Sequence, residues 1–387
     1  MRVLYIVDEG NVGGAAHSFV EVMLNMKRMG VDPVVCNSIH NDLNDFLNKE
    51  GIENYSIGHK PALSPFEYKF PKAPLVWLLM AYRYRKARNK ALGYVNKFIN
   101  MSQIDLIHTN SARNDLGCYL AKQYKKPHVV HFREFADLDF NCALLNPFYY
   151  KMMNHYSERF ITISDAVQKH WVKKGLDARK MQTVYNGIHW QDIVESTDES
   201  KQQETLNLVF TGGVFPTKGQ HLVVDALCML PEDLKHKFTL DVIGWSSEGY
   251  VEKMKKKALD NGIAEQIHFL GSRNDVPKLL GNYEIGLMCS RAEGFGRTTA
   301  EYMHARLGVI ASDSGANPEL IEEGETGLLF KSGDAHSLCN CLKNFYFDRE
   351  LLVRCSKQAQ KKARANYTDV INAENIFSVY KSVVGGY

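Results

Sequence analysis

Short apolar runs recur along the chain, and most are followed by a longer stretch with apolar residues at three- and four-residue spacing. The first case is Val3 to Val7, then glycines at Gly10, Gly13 and Gly14, then a helical pattern from Ala15 to Met29 that stops at Gly30. A short, uninterrupted apolar run is what a parallel strand covered on both faces requires. Further strands are predicted at Asp32–Cys36, Leu106–His108, His128–Phe132 and Phe160–Ile163. The pattern then breaks. Residues Asp192 to Thr205 are polar, acidic and nearly free of large apolar groups, which predicts a linker or exposed loop. Alternation restarts with strands predicted at Asn207–Thr211, Phe238–Ile243, Ile267–Leu270, Ile285–Met288, Val309–Ala311 and Gly327–Phe330. Repeated strand–helix alternation implies parallel sheets with ligand loops at the strand C-termini.

With 387 residues the chain is too long for one ordinary core and suits two domains of about 150–200 residues. The expected division is an N-terminal domain over residues 1–189, a linker over 190–205 and a C-terminal domain over 206–369, with a ligand cleft between the domains. The eight cysteines lack paired metal-ligand spacing, Cys339 and Cys341 included, and are expected as free thiols of a cytoplasmic protein. The apolar run at the N-terminus is too short for a signal-peptide core, and no stretch has the length of a membrane-spanning helix.

Charge distribution says more than the net +3. No acid occurs between Glu67 and Asp105, while lysines and arginines gather beside aromatics and the run Leu75-Val76-Trp77-Leu78-Leu79-Met80. Two readings stand side by side: a buried helix with a solvated basic end, or contact with an anionic membrane surface through residues 66–97. One basic patch on a nearly neutral chain does not argue for nucleic acid.

The candidate chemistry lies where the predicted strand Ile285–Met288 runs into a loop containing Glu293-Gly294-Phe295-Gly296, then Arg297-Thr298 and a helix carrying Glu301. Glycines allow close backbone approach, and a helix N-terminus favours phosphate. A plainer reading is available: Thr298-x-x-Glu301 has the spacing of a capping box, and Glu293 would then be a solvated loop acid. Lys218 follows the Thr211-Gly212-Gly213 turn, where it could neutralise a leaving diphosphate or simply face water. His131, at a predicted strand end, could equally be a core histidine.

Glu293 and Glu301 with the intervening glycine turn resemble the E-x7-E signature of retaining glycosyltransferases of family 4, which have the GT-B fold. Val309 to Ala316, Pro318 to Ile321, Gly324, Gly327 and Leu328 are similar to the family in the same order, as are Gly13-Gly14, Ile163-Ser164, Asn186-Gly187-Ile188 and Lys218-Gly219. The resemblance implies two Rossmann-like doubly wound domains facing each other across a cleft. It also implies that the last helix, about residues 370–387, returns to the first domain. It implies further that Glu301 binds the nucleotide ribose, Glu293 the donor-sugar hydroxyls and Lys218 the diphosphate. Gly13 and Gly14 then admit the diphosphate, and His131 lies near the transferred sugar.

The implied reaction moves a hexosyl unit from a nucleotide diphosphate sugar, UDP favoured, to an acceptor hydroxyl with retained configuration. The acceptor would be a sugar or a lipid-linked glycan. No tightly bound cofactor and no obligatory metal are expected. A nucleotide-sugar-binding scaffold and a UDP-sugar 2-epimerase are the alternatives. One departure stands out: the family often has an arginine five residues before the lysine, and this chain has Gly213. Arg297 and Arg273 are the candidate replacements.

Overall fold

The structure is a computed structural model that describes residues 1–8, 14–246 and 249–385. The chain divides into two compact units: residues 1–187 together with 369–387, and residues 188–368.

The first unit contains strands β1 (Arg2–Ile6), β2 (Asp32–Asn37), β3 (Glu53–Ser56), β4 (Leu63–Pro65), β5 (Leu106–Thr109), β6 (His128–Phe132), β7 (Cys142–Leu144), β8 (Arg159–Thr162) and β9 (Met181–Thr183). Seven form a parallel sheet in the order β3-β2-β1-β5-β6-β8-β9, and β4 pairs antiparallel with β7. Central strands such as β5 and β6 are buried along their whole length, as strands with both faces covered must be. The helix Asp369–Val384 belongs to this unit. Ile376, Val379 and Tyr380 sit in one core cluster with Val3, Tyr5 and Met23. Burying each such side chain contributes about 1.5–3 kcal/mol.

The second unit contains β10 (Leu206–Thr211), β11 (Phe238–Ile243), β12 (Ile267–Gly271), β13 (Ile285–Met288), β14 (Gly308–Ser312) and β15 (Leu328–Phe330). These form one parallel sheet in the order β12-β11-β10-β13-β14-β15. Chain order therefore runs outward in one direction from β10 and in the other from β13. The crevice outside the carboxyl ends of these two strands is the topological switch point, where doubly wound sheets take their ligands.

Of the two readings of the acidic stretch, the exposed loop holds and the linker does not: most of it is exposed or half-buried loop, but it is folded onto the second unit. Val194 and Ser196 donate backbone hydrogen bonds to Pro277 and Ala305, Asp198 pairs with Arg306 and Lys357, and Glu195 pairs with Arg364. Lys201 is fully buried, its Nζ donating to Ser196 Oγ and the Thr197 carbonyl, and burial lowers its pKa to about 8. Low apolar content did not reveal this attachment, because the segment is fixed by hydrogen bonds and ion pairs rather than by a hydrophobic stripe.

The basic-aromatic stretch becomes β4 and a long helix, Ala73–Phe98. Only Ala81, Tyr84, Ala91 and Val95 of that helix are buried; Leu75, Leu78, Leu79 and Tyr82 are exposed. The buried-helix reading thus holds for one narrow stripe alone. No helix among the described residues is long and apolar enough to cross a membrane.

Candidate functional site

Two loops meet at the switch point of the second unit. The loop after β10 passes Gly212 and Gly213 and makes a short turn, Pro216–Lys218. The loop after β13 carries Glu293 to Gly296 and enters the helix Arg297–His304. Gly219 joins them: it has φ +82°, and a Cβ there would lie 2.5 Å from the Cys289 carbonyl oxygen. Only glycine fits both the conformation and the space. The outcome is an ion pair across the crevice, with Lys218 Nζ donating to Glu293 Oε2 at 3.1 Å. Glu293 is mostly covered and Lys218 about 39% exposed, so the lysine can turn towards an incoming anion.

Glu293 is held from behind. A Cβ on Gly315 (φ +59°) would lie 2.4 Å from the Glu293 carbonyl oxygen, and that carbonyl accepts the Ala316 N–H at 2.9 Å. Below it, Ser312 and Ser314 hydroxyls donate to the Ser290 carbonyl, and Asn317 bridges Ser312 and Thr299. The loop is therefore tied to the ends of β13 and β14 and to the following helix.

Glu301 is positioned by its neighbour Tyr302. The Tyr302 ring lies against β13, where a Cβ on Gly286 would come within 2.4 Å of it, and its hydroxyl accepts the Thr211 N–H at 2.7 Å. One buried tyrosine thus fixes the helix to the end of β10. Neither Gly286 nor Tyr302 drew notice in the sequence, although Tyr302 directly follows the second glutamate.

The capping-box reading of Thr298 is corrected here. The helix starts at Arg297, and its N-cap is Gly296 in the left-handed region (φ +90°), with no side-chain cap. Thr298 is therefore inside the first turn. Glu301 is bonded instead to Arg297, whose Nε donates to Oε1 at 3.0 Å. Phe295 is 2% exposed and packs edge-on to Tyr367, so its side chain belongs to the core; Gly294 beside it is only partly buried.

Arg273 is not brought to the crevice. It follows β12, two strands from β10, and makes a two-bond pair with Asp275. At Gly213 the missing arginine has a visible steric counterpart: a Cβ would lie 2.4 Å from the Phe215 ring, which packs against Trp245 at 5.2 Å between centroids. The Phe215 ring occupies the place where the cationic stem would begin. Trp245, 64% exposed at the end of β11, gave no signal in the sequence.

In the first unit His131 lies at the end of β6, fully buried. Neither of its ring nitrogens has a hydrogen-bond partner among the described residues. Burial, with Arg133 and His108 nearby, holds its pKa well below the usual histidine value, so it is neutral at physiological pH. His108 behind it is similarly lowered and shares a 2.6 Å hydrogen bond with the Tyr380 hydroxyl. Around these strand ends Arg133 donates to Asn110 and Asn186, and Arg113 pairs with Asp8 at 3.0 Å. Gly14 is the first residue of the helix Gly14–Arg28, and Gly13 lies outside the described residues. All eight cysteines are free, and no group of three metal-ligating side chains exists among the described residues.

Two doubly wound units, one with a glycine-lined, cation-bearing crevice at its switch point, define a transferase of the GT-B class. Residues 12–191 match the family described as Glycosyltransferase Family 4, and residues 193–362 match Glycosyl transferases group 1. The chain belongs to these glycosyltransferases.

It is 33% identical to the lipopolysaccharide core biosynthesis mannosyltransferase LpcC of Rhizobium leguminosarum bv. viciae over 178 residues, 45% of this chain and 50% of that protein. The match thus spans about half the length of that relative. An uncharacterized 41.2 kDa protein of the cps region of Klebsiella pneumoniae is 23% identical over 74% of this chain and 73% of its own. Among solved structures, Anabaena HepE in complex with UDP superposes with a TM-score of 0.79 at 20% identity, covering 99% of this chain and all of that one.

Proposed function

We propose that the protein is a retaining transferase that moves a hexosyl unit from a UDP-sugar to the hydroxyl of a glycan acceptor. The observation that carries this is the Lys218–Glu293 pair at the β10/β13 switch point, seated beside the start of the helix that bears Glu301. On this reading the donor diphosphate draws Lys218 away from Glu293. Lys218 and the first N–H groups of the Arg297–His304 helix then stabilise the charge that develops as the anomeric C–O bond breaks. The bonding electron pair leaves with the diphosphate. The acceptor oxygen bonds to the anomeric carbon on the same face, and its proton passes to a phosphate oxygen of the leaving group.

Glu293, released, accepts hydrogen bonds from sugar hydroxyls, and Glu301 accepts them from the ribose. Arg297, already beside Glu301, serves as the second cation in place of the family arginine. A neutral His131 can orient a hydroxyl or phosphate oxygen but is no general base.

The uridine assignment leans on HepE, solved in complex with UDP, and the glycan acceptor on the relatives' names. The exposed apolar and basic surface of the Ala73–Phe98 helix supports a peripheral place on an anionic membrane. A thermal-shift panel of UDP, GDP, ADP and dTDP tests the donor. UDP is expected to raise the melting temperature most, because a ligand of the folded state alone stabilises it. Equal or larger shifts with GDP would remove the uridine assignment.

A further inference from the structure

A cavity of about 360 Å3 lies in the first unit between β4 and the Ala73–Phe98 helix. Its walls are of two kinds. Val76, Leu79, Met80 and Leu145 form an apolar trough, while Lys60 and Arg83 stand as cations on its lining. Both cations are exposed, and neither makes an ion pair among the described residues. Behind the lining residue Tyr84, the buried carboxylate of Asp115 is already engaged, accepting from the Tyr84 hydroxyl and from Asn146.

The surroundings extend both characters. Phe70, Leu75, Leu78 and Tyr82 are at least 59% exposed on the same stretch. Between Glu67 and Asp105 stand eight lysines and arginines and no acid. The trough is also joined to the strand ends of the sheet, since the N–H groups of Ala62 and Leu63 both donate to the Arg113 carbonyl just after β5.

Unpaired cations beside a preformed apolar trough suit a ligand that is anionic at one end and hydrocarbon beyond it. We infer that this cavity binds a lipid phosphate, the phosphate held by Lys60 and Arg83 and the chain lying along Val76, Leu79, Met80 and Leu145. This rests on the acceptor side of the function proposed above, and it names that acceptor as a glycan carried on a lipid phosphate. The helix then has two tasks: its exposed apolar residues meet the membrane, and its inner edge selects the carrier.

The test is binding of farnesyl phosphate below its micelle concentration, followed by calorimetry. Inorganic phosphate, farnesol and phosphatidylglycerol vesicles are the parallel probes. Farnesyl phosphate is expected to bind at least tenfold more tightly than inorganic phosphate or farnesol. The K60A/R83A double variant and L79D are expected each to lose tenfold or more. Both changes fall on exposed side chains, and the UDP-induced thermal shift of the variants should equal that of the wild type.

Inorganic phosphate binding as tightly as farnesyl phosphate overturns the inference, as does undiminished binding in both variants. Binding to phosphatidylglycerol vesicles without binding to farnesyl phosphate overturns it too, leaving a general surface attraction. If UDP stabilises neither wild type nor variants while farnesyl phosphate binding follows the pattern above, the donor assignment falls and the lipid site stands.

Discussion

The strand ends of the two units solve the same architectural problem with different electrostatics. In the second unit the crevice residues are charged and partly open to solvent, paired as Lys218–Glu293 and Arg297–Glu301. In the first, His108 and His131 are buried and held neutral near the carboxyl ends, beside Arg133 and the Arg113–Asp8 pair, and His128 is likewise buried and held neutral at the start of β6. The contrast separates two tasks. An exchangeable ion pair can be given up to an arriving diphosphate at little cost, because each ion keeps part of its hydration. A buried neutral imidazole offers fixed hydrogen-bonding geometry but loses folding energy if it is made to carry charge.

The largest effect expected from this difference is acid sensitivity greatest in the first unit, where burial holds several histidines down, against His221 in the second. The three histidines have folded-state pKa values below that of an unfolded histidine, His128 down to about 3. The unfolded chain therefore binds more protons below about pH 6.5. Their stabilisation is complete above that pH and is lost as pH falls from 6.5 towards the folded values, at up to about 1.4 kcal/mol per pH unit for each histidine. Hydrogen exchange followed separately in the two units from pH 7 to 5 should show protection falling first in residues 1–187. Equal loss in both units would break the comparison.

Next in size is Lys218→Ala, expected to lower kcat by about 10²–10³-fold, the scale of removing one preorganised charge stabiliser. The melting temperature without nucleotide should hardly change, since the ion pair is partly exposed. Glu301→Ala should weaken UDP binding by about 10–100-fold, as expected for lost hydrogen bonds to a charged acceptor. Isothermal titration with UDP measures it, and unaltered affinity would remove Glu301 from the ribose. The smallest effect sharpens the picture by contrast: Arg273→Ala should leave UDP affinity and kcat within about twofold, because its partner is Asp275 at an edge strand.

Much of the second unit was legible in the sequence because buried parallel strands advertise themselves. The strands Phe238–Ile243 and Ile285–Met288 have the ends that their apolar runs indicate. Glu293, Glu301 and Lys218 were readable through ordered resemblance, not through spacing, which offered a capping box that the backbone does not form. What stayed hidden depends on contacts remote in sequence. The Thr211–Tyr302 hydrogen bond, the Gly315 approach to Glu293 and the ion pairs that fold Asp198 and Glu195 onto the second unit leave no local pattern. Short β9, with a partly exposed three-residue sequence, was likewise too slight to register.

The ring of Phe215 over Gly213 carries a consequence for how this site can change. Position 213 and position 215 are mutationally interdependent: an arginine placed at 213 alone meets an aromatic ring that is itself packed on Trp245. Gly213→Arg should therefore impair UDP binding as a single change, yet be tolerated or beneficial once Phe215 is reduced to alanine. Titration of the two single variants and the double variant would expose that sign reversal. With the Phe215 ring over this turn, an arginine at 213 is accommodated only together with a change at 215.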